Sequence, residues 1–174
     1  MNRFIVILIS MMVCFPISAK IKIYKDWAVN TEGDSYYYAA TKNKSGHVFG
    51  EYCYFKNKSC LFLIGIDITC HKGHQYPVLV NSEQGALNLT LSCGNKVDHQ
   101  NVLIFNNFDK IDQIVRTSSK LGVVVPMESG QFKVSRFSLL GAKYCIDTMR
   151  AKAAKHLSKN KNKDKNQDED SEFL

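Results

Sequence analysis

One short stretch, Cys70-His71-Lys72-Gly73-His74, concentrates residue types that do chemistry. A thiolate and two neutral imidazoles suit zinc, provided a further ligand comes from elsewhere in the chain. Covalent haem attachment needs C-x-x-C-H, and the second cysteine is absent here. On a continuing strand, Cys70 and His71 would also point to opposite faces. If Cys70 is oxidised with Cys93, no thiolate is left, and Gly73 serves to turn the chain into the next strand. The stretch therefore reads as a disulfide-tethered turn, with no metal and no cofactor assigned.

The remaining cysteines are weighed in the same way. Cys53 and Cys60 flank the polar stretch Lys56-Asn57-Lys58-Ser59, which predicts a hairpin that brings them together. Loop closure then gives about 2.5 kcal/mol for Cys53 with Cys60 and about 3.5 kcal/mol for Cys70 with Cys93. The competing pairing joins Cys53 to Cys93 and Cys60 to Cys70. A catalytic dithiol usually has the spacing C-x-x-C, which does not occur. Cys145 falls on the apolar stripe of the last predicted helix and reads as a free buried thiol. The alternatives for it are a disulfide to another chain or a nucleophile, which needs a nearby base and a lowered pKa.

No G-x-S-x-G elbow, no H-E-x-x-H and no phosphate loop is present. Glu32 with Asp34, and Asp109 with Asp112, are expected in a turn or on an exposed helix face, where charge is only solvated. No catalytic residue is assigned, and the chain is expected not to be an enzyme. In Tyr36-Tyr37-Tyr38, strand alternation sends Tyr37 to one face and Tyr36 and Tyr38 to the other. Tyr36 and Tyr38 are the candidate binding surface, since exposed aromatic side chains anchor partners.

The compartment decides the fate of these thiols. Residues 1–19, MNRFIVILISMMVCFPISA, have the charged, apolar and small-residue parts of a secretory signal, with cleavage expected after Ala19. The apolar run is shorter than the roughly 20 residues that cross a bilayer. Cys14 follows Val13, where lipoprotein processing needs a small residue. No later stretch is apolar enough to span a membrane, so a periplasmic or secreted location is expected, with no integral span after cleavage. There the cysteines usually pair. The formal charge of +7 comes mostly from scattered lysines, and the scarcity of arginine and the single tryptophan argue against nucleic acid.

The elements that must position these residues are mostly short strands. Ile21, Ile23, Trp27 and Val29 suggest a first strand, followed by 35–41, 47–55, 60 onwards, 76–80, 86–93 and 102–105. Leu87, Leu89 and Leu91 alternate with polar residues, as on a sheet with one face in the core. Phe108, Ile111, Ile114 and Val115 have helical spacing. A final hairpin turns around Pro126 and Gly130, and Ser138 is expected to cap a helix from Leu139 to His156. Ala142, Cys145, Ile146, Met149 and Ala153 share one face of it, while Lys143, Asp147, Arg150 and Lys155 share the other. The fold class is mostly β, as a β-sandwich or barrel-like antiparallel sheets, with a short inserted helix and a C-terminal amphipathic α-helix. Residues 20–157 form one disulfide-stapled domain, and 158–174, charged throughout, read as a disordered tail.

Three stretches together resemble the invasion-associated locus B family of bacterial exported proteins. They are Asp26-Trp27-Ala28-Val29; the spaced cysteines around YPVLVNSEQGA; and the run from Phe108 to Met149 with Arg136-Phe137-Ser138-Leu139-Leu140-Gly141-Ala142. The segment Lys42 to Tyr54 matches the family less well, and this chain carries more cysteine in its first half than the family leads one to expect. The resemblance implies a secreted or periplasmic virulence protein acting in host interaction or invasion, with no active site to transfer. Its partner would be a protein, either a host or an envelope component. The alternative is a periplasmic accessory of a secretion or envelope assembly.

Overall fold

The structure, a computed structural model, describes residues 21–97, 100–127 and 129–170. The signal segment, with Cys14, lies outside them. The chain forms β1 (Lys22–Tyr24), β2 (Trp27–Asn30), β3 (Tyr36–Lys42), β4 (Val48–Tyr54), β5 (Ser59–Gly65), β6 (Gln75–Ser82), β7 (Gly85–Val97) and β8 (Gln100–Phe105). Then come α1 (Phe108–Thr117), β9 (Lys120–Pro126), β10 (Phe132–Ser138) and α2 (Ala142–Asp170). All the strands join one antiparallel sheet in the order β1-β2-β3-β4-β5-β8-β7-β6-β9-β10. The mostly β class holds, with its inserted and C-terminal helices, and the strands form one antiparallel sheet.

The sheet curls, bringing its far end back over its beginning. Trp27 Nε1 donates to the Ser138 carbonyl at 2.9 Å, and Asn43 Nδ2 to the Arg136 carbonyl at 3.2 Å. Buried Ser135 and His47 share a hydrogen bond of 2.7 Å. Alternate residues of each strand fill the enclosed side. Phe49 is its hub, with the rings of Trp27, Phe62, Phe105 and Phe137 centred within 6.0 Å of it. Ile111, Ile114 and Val115 of α1 and Ala142, Cys145, Ile146, Met149 and Ala153 of α2 close this core, as the helical spacing predicts.

Several boundaries differ from expectation. Ile21 to Val29 is not one strand: Lys25, at φ 53°, and Asp26 form a tight reversal pairing Tyr24 with Trp27. Ile23 is left 77% exposed on the edge strand. Ser138 does not cap the last helix. It ends β10, and Leu139 to Gly141 intervene before α2 begins at Ala142. Gly141 carries φ +96°, and a Cβ there would lie 2.3 Å from the Tyr24 carbonyl oxygen, so both backbone shape and space demand glycine. The segment expected as a disordered tail is helical as far as Asp170. No proline or glycine interrupts it, so nothing stops propagation from the packed turns before it. Residues 171–174 lie outside the described residues.

Among the described residues, no helix is long and apolar enough to cross a membrane. Two disulfides are formed, which fits an oxidising compartment.

Candidate functional site

Strand β4 carries two kinds of residue in alternation. Phe49, Glu51 and Cys53 face the core, while Val48, Tyr52 and Tyr54 face outward; Gly50, on that same side, is itself buried. Register places Tyr36 opposite Tyr54, and Tyr38 opposite Tyr52. The four outward rings form a cluster: Tyr36 lies 5.4 Å from Tyr54 and 6.0 Å from Tyr52, and Tyr38 stacks on Tyr52 at 5.5 Å. Tyr37 points the other way, against Phe55 at 4.7 Å and His156 at 5.6 Å. The expected division of the tyrosine triplet is what the fold produces.

Three of these rings, Tyr36, Tyr52 and Tyr54, border a cleft of about 920 Å³ that crosses β4, β5, β8 and β7, while Tyr38 lies outside its lining. Its floor is Leu61, Leu63, Val102 and Ile104, and Gly65 and Gly94 leave room by having no side chain. A β-bulge between Cys93 and Lys96 shifts the register of β7 at this point. Such bulges re-aim side chains where a sheet borders a site. The size lies in the range of roughly 300–1,000 Å³ common for ligand pockets, and the apolar, aromatic lining with few polar groups is also typical. Burial pushes the Tyr52 hydroxyl up to about 12, helped by Tyr38, Tyr54 and Tyr36. Tyr54 is raised as well, by burial and then Tyr36. These phenols therefore stay protonated at neutral pH.

Residues 70–74 form one rim of that cleft. Cys70 is bonded to Cys93, with Cα atoms 6.0 Å apart. Gly73, at φ +83°, donates its N–H to the Cys93 carbonyl at 2.8 Å, and the Cys93 N–H donates to the His74 carbonyl at 2.9 Å. Asn101 Nδ2 donates to the Cys70 carbonyl at 3.0 Å. The His71 and His74 rings lie 5.5 Å apart on the exposed turn, while the sulfur is committed to its partner. What the turn offers the cleft is Lys72 and Gly73.

The second disulfide joins directly opposed residues, Cys53 of β4 and Cys60 of β5, with Cα atoms 3.9 Å apart. Ligand atoms of Glu51, Cys53 and Cys60 lie within 4.8 Å of one another, but oxidised sulfurs offer a metal no thiolate. Cys145 is free and fully buried, and burial pushes its thiol up, which opposes nucleophilic use.

A charge network that the sequence did not disclose lies on the core side. Arg150 Nε and Nη2 donate to Glu51 at 2.8 and 2.7 Å, and Nη2 also donates to Asp112 at 2.7 Å. Arg116 binds Asp112 at 2.8 Å and Asp147 at 3.0 Å. Asp112 and Arg150, both expected on solvated faces, thus meet between α1, α2 and β4. Burial raises the Glu51 carboxyl above its ordinary value despite the guanidinium beside it. Burial alone would also raise Asp112, but hydrogen bonds from Arg116 and Arg150 outweigh it and hold that carboxyl low. The Phe108 ring lies 5.3 Å from the Arg150 guanidinium. Every carboxylate and guanidinium here is paired, which marks the network as the lock between helices and sheet.

The sequence pointed to Tyr36 and Tyr38; it did not point to Tyr52 and Tyr54, which join their cluster, nor to Lys96 and the apolar floor of the cleft. The alternation Val48-Gly50-Tyr52-Tyr54 was the available signal, and it needed the register with β3 to become a cluster. No family model, curated protein or solved structure matches the chain.

Proposed function

We propose that the chain is an exported, non-enzymatic protein of the invasion-associated locus B type, acting in host interaction or invasion through contacts with a protein partner. The observation that carries this reading is the outward tyrosine cluster of β3 and β4 beside an open cleft. Tyrosine supplies large contact area with few rotatable bonds and a polar tip, which is why it anchors interfaces. Export draws support from the signal-like first 19 residues and from two disulfides. A binding role draws support from the floor of aliphatic side chains and the uncharged tyrosine tips beside it.

One observation favours the alternative of an envelope-assembly accessory. Helix α2 continues past Leu157, which packs against the core, to Asp170, extending a lysine-rich segment from the domain. Cell fractionation, followed by capture from envelope and host-surface extracts, separates the two readings. The full chain, Tyr36→Ser/Tyr38→Ser and a truncation lacking 158–174 are compared as baits. Host interaction predicts protein in the medium or on the cell surface, with capture lost in the tyrosine variant. Retention solely with the envelope, and capture lost only on truncation, would replace it with the accessory reading.

A further inference from the structure

The cleft has a chemical direction. Tyr36, Tyr52 and Tyr54 stand at its β3–β4 side. Leu61, Leu63, Val102 and Ile104 make the middle, and Lys96 of β7 and Lys72 of the tethered turn stand at the far side. No carboxylate lines it among the described residues. Neither lysine forms an ion pair with a described residue, since the basic partners in such pairs are Arg116, Lys133 and Arg150. An aliphatic floor with unspent positive charge at one end complements a molecule that is apolar along its length and anionic at its head.

The geometry points to a single-chain anionic amphiphile, a long-chain fatty acid carboxylate, as the occupant of this cleft. Its chain lies over Leu61, Leu63 and Ile104 towards Tyr52, and its carboxylate meets the Lys72 and Lys96 ammonium groups. Burial of the chain supplies most of the affinity, roughly fourfold per methylene removed from water. The lysines supply polarity of orientation, because a charged head left without a partner over the apolar floor is disfavoured. The neutral tyrosine hydroxyls add no negative charge to oppose it. The rim depends on the Cys70–Cys93 disulfide, which fixes the turn carrying Lys72. This inference stands apart from the protein-contact reading, since a partner could bind the tyrosine face with the cleft empty or filled.

The test is fluorescence titration of the full chain with cis-parinaric acid and with its methyl ester, both below their aggregation concentrations. Two variants accompany it: Lys72→Glu/Lys96→Glu, at exposed positions that leave the core untouched, and Val102→Trp, which fills the floor. Circular dichroism confirms that each is folded. Saturable binding of one parinarate per chain is expected, at least tenfold tighter than the ester. Charge reversal should weaken the acid at least tenfold and leave the ester unchanged, and Val102→Trp should weaken both. Equal binding of acid and ester, indifference to charge reversal, or no saturable binding would each overturn the proposal. If Val102→Trp fails to fold, the lysine variant and the ester decide the outcome alone.

Discussion

The two faces of β4 have opposite relations to charge and to space. On the core side, Glu51 is fully buried between buried Phe49 and Cys53 along the strand, and both of its oxygens are held by Arg150. On the outer side, Tyr52 and Tyr54 keep neutral hydroxyls beside a hollow, and the charged residues that line it, Lys72 and Lys96, have no ionic partner among the described residues. A satisfied polar network rigidifies a fold and cannot be approached without loss. Unspent charge and an open apolar floor contribute little to folding and remain available to a ligand. One seven-residue strand thus separates a packed, ion-paired face from an open, apolar one by alternation alone.

Removing the link that touches both faces should have the largest effect. Cys70→Ser/Cys93→Ser releases the rim turn and should reduce stability by about 3.5 kcal/mol on the loop-closure model. Urea unfolding measures that loss, and parinarate binding should fall with it because Lys72 is no longer held. Next comes Arg150→Met, which breaks the core-side lock only. At pH 7 it leaves Glu51 buried without its partner and should cost about 3 kcal/mol, with binding in the outer cleft unchanged in whatever fraction remains folded. The cost should shrink as pH falls and Glu51 takes up a proton instead.

A smaller effect concerns pH in the native protein. Glu51 has a folded pKa raised above its ordinary value of 4.5, so the folded state binds the proton more tightly than the unfolded chain. Its contribution is present in full below that ordinary value and is lost as pH rises through the raised folded value. Asp112, with a lowered pKa, acts in the opposite sense, its contribution being lost as pH falls through its folded value. Unfolding curves of the native chain and Glu51→Gln across pH 4 to 7 (roughly the window set by these carboxyls) should converge at the acid end. Parallel curves would show that Glu51 does not titrate abnormally. The smallest stability effect belongs to the outer face: Tyr36→Ser/Tyr38→Ser should cost on the order of 1 kcal/mol, while abolishing partner capture. A large loss of stability there would erase the contrast between the faces.

The sequence made the two faces legible unevenly. Period-two and helical spacing identified strands, both helices and their buried stripes, because those patterns depend only on local geometry. The hairpin around Lys56 to Ser59 was enough to bring Cys53 to Cys60, and it leaves Cys70 to pair with Cys93 as formed. The Glu51–Arg150 pair was not visible, since it joins residues 99 apart whose meeting depends on where α2 crosses the sheet. The cleft was hidden for a similar reason. Its floor comes from β5 and β8, neighbours only through the crossover that places β8 between β5 and β7. The turn at residues 70–74 was readable as a tethered reversal, but its place on a cleft rim was not.

The adjacent tyrosines of β3 offer the most direct test, because Tyr36 and Tyr37 differ by one position and face opposite ways. Ring signals of Tyr36, Tyr37, Tyr52 and Tyr54 can be followed by nuclear magnetic resonance of the full chain during titration with a long-chain fatty acid. The division of labour between the faces predicts saturable shifts at Tyr36, Tyr52 and Tyr54 with Tyr37 unmoved. Shifts of Tyr37 equal to those of its neighbours, or no shift at any of the outer rings, would contradict it.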